Sequence, residues 1–421
     1  DALGALAPER EQPAKVVLLT PGPYNETYFE HAYLARYLGF TLVEGADLTV
    51  RDRRVFIKTL EGLQPVNVIF RRLDDGFCDP LELRGDSFLG VAGLVDAVRA
   101  GNVVVANALG SGVIETAALL PFLPALCREL LGEELMIASA ETWWCGRPSD
   151  RAYVIEHLND LVVKPAFPTK GQEPVFGRRL SEREKSELAA TIRDRPEDFV
   201  AQAHVSLSRA PVWHRQRLEP RSIVLRTYVA AAGDTFTVMP GGLTRASSSE
   251  DVPIVSMQRG GRSKDTWVLA DSPVNPVTLL TPLDPIHLEP ATTELPSRVA
   301  ENLFWLGRYV ERAEHVVRLL RGFVARLAEH DATDDPRQMS ALLRVLVGLK
   351  LLPKEFSKTN GLRQLEEETI ELIARQSPHT GLRNTLNEVR RLASAVRDRL
   401  SVDTWRILNL LQQDMRLRQG R

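Results

Sequence analysis

The amino-acid sequence predicts an α/β protein whose last third is an all-helical module. Three observations carry this expectation. From Lys15 onward, short apolar runs alternate with stretches of helical periodicity, as in layered α/β folds. Between Asp271 and Pro296 the chain is rich in proline and lacks periodicity, which marks a linker. Beyond it, apolar residues recur three and four apart in one continuous seam, the pattern of an amphipathic helix.

The elements follow in order. The run Lys15–Thr20, KVVLLT, stops at Pro21-Gly22-Pro23, so a buried strand ends there. Asn25 is placed to cap the next segment, in which Phe29, Tyr33, Leu34, Tyr37 and Leu38 lie at helical spacing up to Gly39. Thr41–Glu44 reads as a second strand, giving a βαβ start. Further β-like runs are 66–70 and 103–106, with helical stretches at 90–99 and near 119–131. From about Ser149 the strands change in kind: LVVK at 161–164, FVAQ at 199–202, SIVLRTYVAA at 222–231 and TFTVM at 235–239. The last two flank Gly233-Asp234, which reads as a hairpin turn.

After the linker, Leu295, Val299, Leu303, Leu306, Val310, Ala313, Val317, Leu320, Val324 and Leu327 form the seam of one long helix. Amphipathic stretches at 340–352, 363–376, 382–400 and 402–418 complete a helical bundle. The expected division is a flexible start at 1–14, an α/β domain at 15–148, a second domain at 149–272, a linker at 273–294 and a helical domain at 295–421.

Composition bounds the function. With 421 residues, 44% hydrophobic and 26% charged, the chain has the make-up of a globular protein. A net charge of −2 supplies no global field toward nucleic acid or an anionic membrane, so anion selectivity has to be local. No apolar run reaches membrane-spanning length. Cys78, Cys127 and Cys145 lack metal-ligand spacing and fit a reducing cytoplasm. The first residue is Asp1, which leads us to expect a processed or truncated piece of a longer protein.

The segment Met239–Leu269 holds two glycine pairs followed by cations: Gly241 and Gly242 before Arg245, and Gly260 and Gly261 before Arg262 and Lys264. Such a segment is either an anion cradle, with glycine admitting close backbone approach, or two hairpin turns with solvated charges. Lys164 ends an apolar strand, where an ammonium reaches phosphate or simply meets solvent. The following loop, with Lys170, Gly171, Gly177 and Arg178, folds over phosphates or lies on the surface. Arg221 and Arg226 face opposite sides of their strand. Arg226, set in SIVLRTYV, requires an ion-pair partner or a ligand.

In the first domain, Arg71, Arg72, Asp74, Asp75 and Asp79 follow a strand, where α/β sheets place substrate groups. A self-neutralising loop of ion pairs is the other reading. Asn107 opens a loop with Gly110-Ser111-Gly112, which falls short of a dinucleotide fingerprint. No clustered histidine pattern appears, Cys145 has no histidine nearby in sequence, and His31, His157 and His204 read as packing or surface residues.

Taken in order, TPGPYNETYFEHAYLARYLG, LVEGADL, IFRRLDD, DPLELRGDSFLGVAGL, NALGSG, LVVKP, FVAQ, PGGLTR and QRGGRSKDTWVL resemble the circularly permuted ATP-grasp family, related to glutathionylspermidine synthetase-like ligases. The resemblance covers about residues 15–272. LPSRVAENLFWLGRYVERAEHVVRLL resembles the start of an α-E domain, carried by Glu301, Arg308, Glu311, Arg312 and Glu314. The resemblance implies an ATP-grasp fold in permuted order and a ligase using ATP and Mg2+, which phosphorylates a carboxylate and passes the acyl group to an amine or peptide. It implies Lys164 as a phosphate lysine, Gln202 at the adenine hinge, Arg226 facing phosphate, and Arg245 with the QRGGRSKD loop, including Lys264, as further site elements. Gly241, Gly242, Gly260 and Gly261 are then expected at the nucleotide, and Arg71, Arg72, Asp74, Asp75 and Asn107 at the substrate.

Three departures temper the resemblance. GVIET at 112–116 lacks a lysine that many members carry, and AFPTKGQEPVFG replaces a double-glycine lid loop. The magnesium ligands are expected N-terminal to this segment, since residues 1–14 offer none. Residues 1–421 are therefore expected to bind nucleotide weakly and not to turn over. The alternative expectation is an impaired homologue acting as an adaptor, with a protein partner on its helical module.

Overall fold

In the computed structural model, residues 2–8, 14–167, 173–214, 216–248, 260–273, 295–328, 336–349 and 382–417 are described. The expected helix at 363–376 lies outside them. The chain divides into two compact units: residues 3–108 together with 288–421, and residues 109–287.

The first unit is built on a parallel sheet of order β2-β1-β6-β7, with β1 at Val16–Leu19, β2 at Thr41–Val43, β6 at Val68–Arg71 and β7 at Val104–Ala106. Val17, Leu18 and Leu19 are fully buried, as a central strand covered on both faces requires. The first helix, α1 (Tyr28–Leu38), ends at Gly39, whose φ of 71° lets its N–H reach back to Ala35 and Arg36 carbonyls. Asn25 does not cap α1. Its Oδ1 accepts from the Thr27 N–H at 2.9 Å and forms the turn that enters the helix. Between β2 and β6 lies a meander absent from the sequence reading: β3 (Leu48–Arg51), β4 (Arg54–Thr59) and β5 (Gly62–Pro65). Its first turn places Asp52 and Arg53 at φ 48° and 60°. Helix α2 (Leu94–Arg99) starts on the buried Asp79 carboxylate, which accepts from Gly93 and Val95 N–H at 3.1 and 2.9 Å.

The second unit opens with α3 (Leu123–Leu131), β8 (Thr142–Trp144) and α4 (Pro148–Glu156). Then come β9 (Leu161–Pro165), β10 (Val175–Phe176), α5 (Glu182–Asp194) and β11 (Phe199–Ala203). The sheet order is β10-β9-β11-β8. One face packs Leu161, Val163 and Ala201 against Val154 of α4 and Ala189 and Ile192 of α5. Helix α5 begins with a capping box in which Ser181 Oγ accepts from Glu184 N–H and Glu184 returns a carboxylate to Ser181 N–H at 2.7 Å. Ser181→Ala is expected to lower stability by about 1 kcal/mol, read as a shift in the denaturant midpoint at unchanged slope.

The second sheet of this unit has order β12-β13-β16-β17: β12 at Arg209–His214, β13 at Arg217–Arg226, β16 at Gly242–Ala246 and β17 at Arg262–Thr266. The expected strand 222–231 is instead two, since β13 stops at Arg226 and β14 (Val229–Ala232) turns into β15 (Thr235–Val238). Gly233, at φ 62°, makes that hairpin.

The helical part of the first unit comprises α6 (Ser297–Ala328), α7 (Pro336–Gly348), α8 (Leu382–Ala395) and α9 (Val402–Leu417). The buried stripe of α6 departs from the expected seam. Ala313, Val316, Leu320 and Phe323 are buried, while Val310, Val317 and Val324 are 46%, 37% and 37% exposed. The buried residues keep the three-and-four spacing but lie round the helix toward Leu343 and Leu346 of α7, which pack with Val316, Leu320 and Phe323, so the neighbouring helix and not the period sets the face. Arg298 ties α6 to the α/β layer. Its guanidinium donates to both Asp47 oxygens at 2.8 and 2.7 Å and lies 2.9 Å from a Glu44 oxygen.

Candidate functional site

A cavity of about 580 Å3 in the second unit opens on the sheet face left free by α4 and α5. Pleating decides what it presents. Gln202 pairs with Val162 and with Thr142, and Phe176 with Val162, so Val162, Lys164, Phe176, Gln202 and His204 share one face. Lys164 Nζ donates to Gln202 Oε1. The Gln202 amide donates in turn to Thr142 Oγ1 at 3.0 Å, and Thr142 donates to the Ala140 carbonyl at 2.7 Å. This relay fixes the amide with its oxygen toward Lys164. Burial pushes the Lys164 ammonium below the ordinary lysine pKa.

The same wall carries Arg178, which the sequence reading placed over phosphates or on the surface, and His204, which it read as a packing or surface residue. Arg178 donates to His204 Nε2 at 2.7 Å, which assigns that nitrogen as acceptor and places the ring proton on Nδ1. His204 meets the edge of Phe176, and the Arg179 guanidinium lies 5.3 Å from the Phe176 centroid. The available signal was position: His204 is two residues beyond Gln202 on the same strand direction. Gly177 in the adjoining turn has a packing reason, because a Cβ there would come within 1.6 Å of the Leu158 carbonyl.

In the second sheet, register separates the expected cations. Val224 pairs with Arg245, and Arg226 with Leu243, so Arg226 and Arg245 share a face. Ser222, on that face four residues back and about 14 Å away, lines the cavity. Arg245 Nε is buried and has no hydrogen-bond partner. Lys264 pairs with Thr244 and lies on the opposite face, donating to the Pro211 carbonyl at 2.7 Å. Arg262 there donates to the Trp213 carbonyl. Arg221, also opposite Arg226, is buried against Glu219. Gly241 and Gly242 admit close strands: a Cβ would sit 2.7 Å from the Thr266 carbonyl at the first and 2.6 Å from the Arg226 carbonyl at the second. Gly260, at φ 76°, turns the chain into Gly261 and β17.

The remaining candidates belong to the first unit. β1 connects to β2 on one side and the chain then crosses to β6 on the other, so the carboxyl ends of β1 and β6 flank a topological switch point. Arg71 is a brace there: it pairs with Asp75 at 2.5 Å and donates to the Leu73 and Asn107 carbonyls at 2.6 and 3.1 Å. Asp74 turns the chain through its carbonyl, which accepts from Phe77 N–H at 3.0 Å. Arg72 is exposed; burial first, and the Arg72 charge second, push neighbouring His31 down to about 4.

Residues 1–247 match the family profile described as circularly permuted ATP-grasp type 2. The chain belongs to that family. Residues 295–420 match Alpha-E, a predicted α-helical domain with a conserved ER motif; the chain has Glu311-Arg312 within α6. Among relatives, uncharacterized protein Rv2411c of Mycobacterium tuberculosis is 44% identical over 269 residues, 64% of this chain and 49% of its own. Uncharacterized protein Rv2567 of the same organism is 35% identical over 424 residues, 97% of this chain and 47% of its own. The chain thus spans about half the length of these curated relatives. A solved structure, ATP-grasp ligase PsnB complexed with minimal precursor, aligns with TM-score 0.36 and 12% identity over 61% of this chain and 78% of that one.

Within this ATP-grasp chain, Cys78 and Cys145 are poor nucleophiles, since burial pushes both thiols up to about 11. Among the described residues, no group of three or more His, Cys, Asp or Glu could hold a metal ion. No helix among them is long and apolar enough to cross a membrane.

Proposed function

We propose that this protein is an ATP-dependent carboxylate–amine ligase that forms an amide or peptide bond through an acyl phosphate. Lys164 carries the reading: a half-buried ammonium on a cavity wall, hydrogen-bonded to the neutral Gln202 carbonyl rather than to a carboxylate. Among the described residues no carboxylate pairs with it, and a desolvated cation held by a neutral partner is arranged for an anionic ligand.

The cavity fits a nucleotide by its chemistry. Val162 and Phe176 offer apolar surface to a base, and Arg178 and Lys164 offer charge to phosphates. When bound, ATP supplies the phosphoryl group: a carboxylate oxygen attacks the γ-phosphorus as ADP leaves, then the amine displaces inorganic phosphate and loses a proton to solvent. Lys164 neutralises phosphate oxygens, and Gln202 holds it in place. Arg226 and Arg245, sharing a face, are assigned to transferring phosphate or acyl phosphate. Gly241, Gly242, Gly260 and Gly261 supply close backbone around them. Arg72 is assigned to a substrate carboxylate, with Arg71, Asp74, Asp75 and Asn107 shaping its loop. Lys264 is reassigned to bracing β12. The described residues do not fit magnesium, so no step is assigned to it. A cytoplasmic location, where ATP is abundant, belongs to the same proposal.

An impaired homologue acting as an adaptor is the second reading, favoured by the lysine that GVIET lacks. ADP release by the protein at the length of its relatives, measured with amino acids and short peptides, separates the two. Acceptor-dependent ADP release with amide product is expected; tight ATP binding without turnover across the panel would leave the adaptor.

A further inference from the structure

Within the first unit, a cleft of about 590 Å3 runs between α1 and α9, closed at one end by the 3-10 turn Arg397–Arg399. On α1 it is lined by Phe29, Tyr33 and Arg36, and on α9 by Trp405, Arg406 and Leu410. Its α9 wall runs from Val402 to Gln413, about 16 Å at helical rise, which is the length of three helical turns.

Three features set its ligand chemistry. The first is uncovered apolar surface: Phe29 and Tyr33 are 53% and 61% exposed, with ring centroids 6.4 Å apart, and Leu410 is also exposed. The second is cationic excess. Arg397 is held between the rings of Phe29 and Trp405, at 4.4 and 4.3 Å, and Arg36 and Arg406 stand on the two walls. Among the described residues the one acid in the lining, Asp398, pairs with Arg399 at 3.0 Å. The third is an orphan donor: Trp405 is 9% exposed, and its indole N–H is buried with no acceptor among the described residues. A buried donor left unmade is unfavourable by about 1–3 kcal/mol, so an acceptor arriving in the cleft is rewarded.

We propose that this cleft docks an acidic amphipathic helix of a partner protein. Its apolar stripe lies along Phe29, Tyr33 and Leu410, and its carboxylates meet Arg36, Arg397 and Arg406. One glutamate or backbone carbonyl accepts from Trp405 Nε1. A second copy of this chain is disfavoured, because two-fold pairing would bring the same three arginines face to face. The inference is independent of the ligase reading.

The test is fluorescence anisotropy of a labelled synthetic peptide of about 14 residues, with leucine at helical spacing and glutamate elsewhere. Saturable binding is expected, weakening as salt rises. Arg406→Glu and Arg36→Glu are each expected to weaken it about tenfold or more, and Trp405→Phe, which keeps the ring, by about tenfold. Circular dichroism matching the unmodified protein establishes that each variant is folded. A peptide with lysine in place of glutamate is expected not to bind. Equal binding of the lysine peptide or of a leucine-scrambled one, or indifference to Arg406→Glu, would overturn the proposal. So would self-association abolished by Arg406→Glu, or partition onto anionic vesicles with no peptide binding.

Discussion

Replacing Lys164 by alanine is expected to weaken ATP binding by about 10- to 100-fold, the loss of one charge-assisted hydrogen bond to phosphate. Stability should stay the same or rise. The ammonium is half-buried and its partner is the neutral Gln202 carbonyl, so its removal relieves desolvation without stranding a counter-charge. The pH dependence separates the two effects. A lysine with a lowered folded-state pKa destabilises the fold while charged, and that penalty fades as pH rises through the ordinary lysine range. Stability relative to the alanine variant therefore grows at alkaline pH, while affinity for ATP falls as the ammonium loses its proton. Calorimetric titration and thermal unfolding read the two quantities independently. Unchanged ATP affinity in the variant would remove the nucleotide assignment.

Arg298→Ala is expected to destabilise the first unit by about 3 kcal/mol, since it strips the partner from buried carboxylates. Asp47 is buried and both its oxygens accept from Arg298. Glu44 adds a pH signature. Burial raises its carboxyl pKa, against the pull of Arg298. An acid raised in the folded state contributes stability at low pH that is lost as pH climbs through its folded pKa. Removing Arg298 raises Glu44 further and enlarges that loss. The deficit of the variant should then be smallest in mild acid and largest at neutral pH, and Glu44→Gln should recover part of it. Urea denaturation at both pH values checks this; a deficit independent of pH would show that only the Asp47 bonds matter.

Sequence pattern located the buried strands because their apolar runs are short, continuous and bounded by turn residues: KVVLLT, LVVK and FVAQ all fall on strands. It missed β3–β5, where RVFIKT alternates over only six residues and is set between the polar Asp52-Arg53 turn and the turn before Gly62. Helices beyond residue 295 were legible, but the face of α6 was not, since neighbouring stripes share the three-and-four spacing and the packing of α7 on Val316 and Phe323 chooses between them. In the candidate site, the meeting of Lys164 and Gln202 was foreshadowed by strand-end positions. The separation of Lys264 from Arg226 and Arg245 was not, because a face is assigned by register between strands distant in sequence. His204 was read as a packing or surface residue for the same reason: nothing local records its pairing with Arg178.

Asp47 and Arg298 are 251 residues apart, with the whole second unit encoded between them. At translation rates of about 5–20 residues per second, the carboxylate waits roughly 10–50 s for its guanidinium. Over that interval the nascent α/β layer holds two acids, Glu44 and Asp47, beside an uncovered seat for α6. Slowing or speeding the ribosome across residues 109–287 would lengthen or shorten the time in which that seat is open to misassembly, without altering a single residue.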